Sequence, residues 1–165
     1  MFITVHAAAA TLIGAQTDNI AIAFGLGVVS HFILDIIPHG DMELGKRFFG
    51  LKISNLREED KLKTMALYGS LDACAMVLLL IFLFKNFDFA RSDGVSWAII
   101  GGILPDIIVG FYQLTKFKYL KWFYDYHHWN HFLLLNKLKR DLPIRYGIMM
   151  QAIALVAIVC LLYLS

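Results

Sequence analysis

The chain has 165 residues, 59% of them hydrophobic, and a formal net charge of +2. A mean hydropathy of +0.64 is too high for an ordinary soluble domain and points to one integral membrane domain over residues 1–165. The net charge is uninformative until the charges are placed along the chain; no nucleic-acid partner is expected, and Cys74 and Cys160, both inside apolar runs, are not expected to form a disulfide framework.

Six helical segments are predicted. The first, about Phe2 to Gly14, is short and alanine-rich, and no basic region precedes it to suggest a cleavable signal. Gln16, Thr17, Asp18 and Asn19 make a polar turn with good N-cap residues for a second helix, Ile20 to Ile37, which Pro38 and Gly40 stop. The third spans about Lys63 to Phe84 and the fourth Val95 to Thr115. A fifth, Tyr119 to Leu138, mixes aromatics, His and Lys, as expected of a helix lying in the interface. The sixth starts at Pro143, a favourable first-turn residue, and runs to Leu164. Helices two, three, four and six approach the ~20 residues needed to cross a bilayer, whereas the first is short enough to tilt or insert incompletely. The expected fold is an all-α polytopic bundle with about five membrane-inserted helices and one interfacial amphipathic helix.

Basic residues orient this bundle. Lys46, Arg47, Lys52, Arg57, Lys61 and Lys63 lie between helices two and three, and seven more lie from Lys116 to Arg145; only Lys85 and Arg91 separate helices three and four. The positive-inside rule puts the two rich groups in the cytoplasm, leaving the N-terminus cytoplasmic and the C-terminus external.

Against that frame the ionisable residues sort to one side. His6, His31, Asp35, Asp72 and Asp106 lie in apolar segments, where each charge costs roughly 2.5–3.5 kcal/mol or more, so each is a functional candidate. At 1.5 Å per residue all five fall within about 15 Å of the cytoplasmic helix ends, and His39, Asp41 and the fifth helix belong to that side too. Residues four apart share a helix face, so Gly27, His31 and Asp35 form a stripe, as do His6, Ala10 and Gly14, and Gly102, Asp106 and Gly110. Small residues aligned with each polar one favour close helix approach, and hence stripes that face the bundle interior. His127, His128 and His131 cannot all share one face, so one of them points elsewhere. Trp122, Phe123, Tyr124, Tyr126 and Trp129 read as an interfacial belt, and Asp125 with His128 as a candidate interfacial pair.

Imidazole and carboxylate together are the ligand set of Zn, Mn and non-haem Fe. His31-x3-Asp35 puts two ligands on one face, and Pro105 removes a backbone hydrogen bond where Asp106 needs to be aimed. His6, His31, Asp35, His39, Asp41, Asp106 and one or two of His127, His128 and His131 are enough donors for two metals, the usual device for phosphoester hydrolysis. Flanking Lys and Arg suit an anionic lipid headgroup. In this reading His39 or Asp41 completes the site or acts as general base, and Asp72 and His128 support ligands from behind.

The run Ser30-His31-Phe32-Ile33-Leu34-Asp35-Ile36-Ile37-Pro38-His39-Gly40-Asp41, with the His6 helix before it, resembles the bacterial inner-membrane metal-dependent hydrolase family. It is also distantly similar to zinc-dependent phospholipase C. Gly102-Ile103-Leu104-Pro105-Asp106 resembles the G-x-L-P-D element common to both, and His127-His128-Trp129-Asn130-His131 stands where the later His-containing motif would fall. The resemblance implies an inner-membrane location, a divalent cofactor, Zn before Mn or Fe, and His6, His31, Asp35, Asp106 and His131 as ligands. It implies hydrolysis, with a lipid or membrane-associated phosphoester as substrate. Two rival readings use the same residues: a proton or transition-metal transporter, and a non-catalytic bundle tied together by a polar cluster. The apolar external half argues against a transport path.

Overall fold

A computed structural model describes residues 1–40, 58–138 and 142–164. These form six α-helices and one short 3-10 turn, with no strand among the described residues. In chain order the helices are α1 (Ile3–Ala15), α2 (Ile20–Asp35), α3 (Glu58–Asn86), α4 (Ser92–Thr115), α5 (Lys121–Leu138) and α6 (Ile144–Leu164); the 3-10 turn Lys118–Leu120 leads into α5. Parts of α3, α4 and α6, Ala66–Asn86, Ser92–Thr115 and Arg145–Leu164, are long and apolar enough to cross a membrane; α1 and α2 are apolar but shorter.

The short first helix is the centre of the molecule. Rather than being marginal, α1 packs against α2, α3, α4 and α6. Ala7, Ala8 and Ala10 are fully buried, along with Thr4, Val5, His6, Thr11 and Gly14. Alanine keeps α1 slim enough to be surrounded, and surrounding protein, not its own length, satisfies its apolar surface. Outward faces of the peripheral helices carry large apolar side chains, including Val29 and Ile33 on α2, Leu71 and Leu78 on α3, and Ile153 and Val156 on α6. Such a surface is stable only against an apolar medium.

Helix boundaries follow local chemistry. Asn19 caps α2, its side chain accepting from the amides of Ala21 and Ile22 at 2.9 and 3.2 Å. Pro38 disfavours helical geometry in the residue before it, and α2 ends at Asp35, two residues short of the sequence expectation. Gly40 then turns with φ 82°, a conformation suited to glycine. α3 begins at Glu58, five residues earlier than expected.

Small residues set the distance between α2 and α4. A Cβ added at Gly27 would lie 2.2 Å from the Ala98 carbonyl oxygen, and one at Gly101 would lie 2.2 Å from that of Phe24. Gly102 gives the same close approach to α1, at the Ala10 methyl and the His6 carbonyl. Gly110, the last member of its stripe, is different: a Cβ there would meet nothing within 4 Å. α5 is fastened to α2 by Asn130, whose amide donates to the Phe32 carbonyl at 2.8 Å, while Trp122, Tyr126 and Trp129 remain exposed.

Asp72 on α3 does not orient a histidine ring. Its carboxylate accepts from the backbone amides of Ile3 and Thr4 at 2.6 and 3.2 Å and from the Thr4 hydroxyl. It therefore caps the otherwise unsatisfied first turn of α1 from a neighbouring helix, where a negative charge also meets the positive end of the helix dipole. Asp72→Ala is expected to cost about 1–2 kcal/mol, the upper part of the range for lost N-caps, seen as lower resistance to unfolding in detergent; Asp72→Asn should recover part of it.

Candidate metal centre

Three helices and the turn after α2 bring the polar residues together. From α2, His31 and Asp35 project one turn apart; α4 supplies Asp106, and α5 supplies His127 and His131. One donor atom from each of His31, Asp35, Asp106 and His127 falls within 4.8 Å of all the others, so this buried His/Asp group can hold a metal ion. A second group, Asp35, His39 and His131, meets the same limit and shares Asp35 with the first.

The ring orientations are set from behind. His31 Nδ1 donates to the Gly102 carbonyl at 2.8 Å, which leaves Nε2 without a proton. Pro105, just before the donor Asp106, leaves the Gly101 carbonyl without its helical N–H, whereas the Gly102 carbonyl is the one His31 binds. His31 Nε2 then faces His127 Nε2 at 3.1 Å, Asp35 Oδ2 at 3.1 Å and Asp106 Oδ1 at 3.8 Å. His127 Nε2 stands 3.3 Å from Asp35 Oδ2 and 3.4 Å from Asp106 Oδ1.

These separations suit a four-coordinate cation. Donors 2.0–2.1 Å from a tetrahedral ion are separated from one another by about 3.3 Å, the middle of the observed set. Proton counting agrees. With both imidazoles neutral, the four electron-rich atoms have at most the one proton of His127 between them. Asp35 Oδ2 is buried and accepts no well-formed hydrogen bond, although imidazole nitrogens of three residues lie 2.9 to 3.3 Å away. An orphaned carboxylate oxygen in such a setting is costly unless a cation sits beside it.

His6 belongs to neither donor group. Its Nε2 donates to Asp35 Oδ1 at 3.1 Å, its ring stacks on His31 at 4.1 Å between centroids, and the Met1 amino group reaches the same Oδ1 at 2.7 Å. One Asp35 oxygen is thus held in place while the other faces the donors. His6, expected among the ligands, thus stands against Asp35 on the side away from the donor groups. His128 is the member of the histidine trio that points away: its Nδ1 donates to the Tyr124 carbonyl at 3.1 Å, and burial lowers its pKa. It does not pair with Asp125, which binds Lys121 at 2.6 Å and thereby raises the pKa of that exposed lysine. Asp41 lies outside the described residues.

Sequence reasoning missed the Gly102 carbonyl and Asn130 as positioning groups. A backbone carbonyl carries no sequence signal, and Asn130 could be noticed only as the one amide inside the His127–His131 segment. No family model, curated protein or solved structure matches this chain.

Proposed function

We propose that the protein is a membrane-embedded metal-dependent hydrolase whose centre, held by His31, Asp35, Asp106 and His127, opens to the cytoplasm and acts on a phosphoester of a lipid or membrane-associated substrate. The observation that carries the reading is the orphaned Asp35 Oδ2, ringed by imidazole nitrogens on a framework of charged and neutral donors typical of Zn sites. A divalent ion held there would supply Lewis acidity and, on taking up a water beside its four protein donors, a nucleophile at neutral pH. The chain's own residues do the rest: Gly102 fixes the His31 tautomer, His6 fixes Asp35, and the α2–α4 seam fixes the distance between the carboxylates.

The orientation rests on the distribution of Lys and Arg, and five membrane-inserted helices follow if α1 and α2, too short to cross alone, are carried in by α3, α4 and α6. The bacterial inner membrane rests on the family resemblance alone. Transport fits less well. Moving along α1, α2 and α4 away from the donors, the described interior is built of Ala7, Ala10, Ala23, Val95, Ala98 and Ile99, and the buried Thr11 hydroxyl beside them donates back to the Ala7 carbonyl of its own helix rather than extending a polar path.

Elemental analysis of detergent-purified protein beside His31→Ala/Asp35→Ala tests the reading. Stoichiometric Zn, Mn or Fe is expected in the wild type and not in the double variant, together with metal-dependent release of product from phospholipid or phosphodiester probes. Absence of stoichiometric metal after supplementation would sink the hydrolase reading and leave a helix-tying polar cluster.

A further inference from the structure

We propose that Gln151 of α6 is a positioning residue of the metal centre: by holding the backbone of Phe2 it sets where the start of α1 stands against Asp35. This rests on the metal-centre reading above and adds to it a residue from a helix that supplies no donor.

Gln151 interrupts an apolar run, residues 148–162, on α6, where a hydrogen-bonding side chain is costly unless protein surrounds and pairs it. The side chain is buried, and its Oε1 accepts from the Phe2 amide at 2.8 Å. That contact fixes which way the amide points, because Nε2 in the same place would set donor against donor. Nε2 is buried as well and has no partner among the described residues. An unpaired buried N–H offsets much of what one amide bond contributes, so net stability is a poor account of this glutamine. It is kept for where its oxygen holds Phe2.

That bond reaches Asp35 in two ways. Met1, next to Phe2, brings its nitrogen to Asp35 Oδ1 at 2.7 Å, and His6, in the first turn of α1, donates to the same oxygen at 3.1 Å. Asp72 takes the amides of Ile3 and Thr4 and leaves that of Phe2 to Gln151. A carboxylate turns as one plane, so a shift at Oδ1 carries Oδ2 out of register with His31, His127 and His131. Gly147, one turn before Gln151 on the same face, approaches so closely that a Cβ would lie 2.0 Å from the His39 carbonyl oxygen. One face of α6 thus meets both the start of α1 and the turn after α2.

Cobalt(II) titration and visible spectra of the full chain in detergent, beside thermal unfolding, test the assignment. Gln151→Met keeps the unbranched shape and removes the acceptor. Gln151→Asn keeps the amide but falls one methylene short of Phe2, and Gln151→Glu keeps an oxygen in place. Leu162→Ala, a cavity about 16 Å further along the same helix, controls for stability alone. Gln151→Met and Gln151→Asn are expected to weaken cobalt binding about tenfold, the low end for a supporting residue, and to shift its visible bands. Gln151→Glu should bring both back near the wild type, and Leu162→Ala should unfold earlier while binding cobalt as the wild type does. Earlier unfolding of Gln151→Met and Gln151→Asn with unchanged affinity and bands would make Gln151 a cap of α1 only and overturn the assignment. So would a Gln151→Glu variant no better than Gln151→Met, or a Leu162→Ala variant equally weakened, since any loss of stability would then suffice. Should Gln151→Met not fold, Gln151→Asn decides alone. No cobalt bound by the wild type would overturn the metal-centre reading itself, and this assignment with it.

Discussion

Asp35→Asn is expected to weaken metal binding by more than about 100-fold, beyond the 10–100-fold that loss of an outer supporting residue costs. The substitution keeps the shape of the side chain and removes the one negative charge common to both donor groups. It also replaces an acceptor with an amide that has two protons to place. One end of Asp35 already receives the His6 imidazole and the Met1 amine, so the oxygen of an asparagine stays there and its NH2 turns toward His31, His127 and His131. Donor then meets ligand nitrogen, and the space for a cation is lost. Competition against a chelator of known affinity in detergent reads this directly. His6→Ala is the comparison: it removes an orienting contact rather than a donor, and its loss should stay within the 10–100-fold range. Equal and large losses in both would place His6 among the ligands. Wild-type affinity in Asp35→Asn would remove Asp35 from the centre.

What was legible in the sequence and what was not divides along physical lines. His31 and Asp35 were legible as a pair because four residues in a helix fix their geometry without help from the rest of the fold. Asp106 was legible through its apolar setting and the proline before it. The glycine stripes gave the faces along which α1, α2 and α4 meet, although Gly110 carries its stripe past the end of the contact. The central place of α1 was not legible, because thirteen residues of alanine-rich helix look equally like a weak span and a buried strut until the neighbours are present. Nor was the role of Asp72. An aspartate in a membrane helix reads as a ligand or a packing group, and only the meeting of α3 with the start of α1, 69 residues away in sequence, makes it a helix cap. The choice among His127, His128 and His131 likewise depends on how α5 is rotated against α2, which Asn130 and the Phe32 carbonyl decide.

The second large effect is expected far from any ionisable group. Gly27→Ala should destabilise the protein by about 1–3 kcal/mol, the usual cost of overpacking, and weaken metal binding with it. The added methyl would sit 2.2 Å from the Ala98 carbonyl oxygen and 3.0 Å from the Gly102 amide nitrogen. Both are backbone atoms of α4, so no rotamer change can relieve the contact and the helices must separate. Gly102 is also the residue whose carbonyl fixes the His31 ring, and Asp106 is one turn further on. Moving α2 off α4 therefore loosens the His31 tautomer and spreads the α2 donors from the α4 donor in a single step. Gly25→Ala provides the internal control, since a Cβ there meets nothing within 4 Å. It should be neutral or stabilising by up to about 1 kcal/mol, because alanine is the better helix former. Thermal unfolding in detergent, with and without added metal, separates the cases. Metal should raise the transition of the wild type and of Gly25→Ala and have little effect on Gly27→Ala. If the two glycine variants behave alike, α2 and α4 do not meet through this seam. The donors would then be held together by the metal rather than brought together by the helices, and the order of cause in the centre would be reversed.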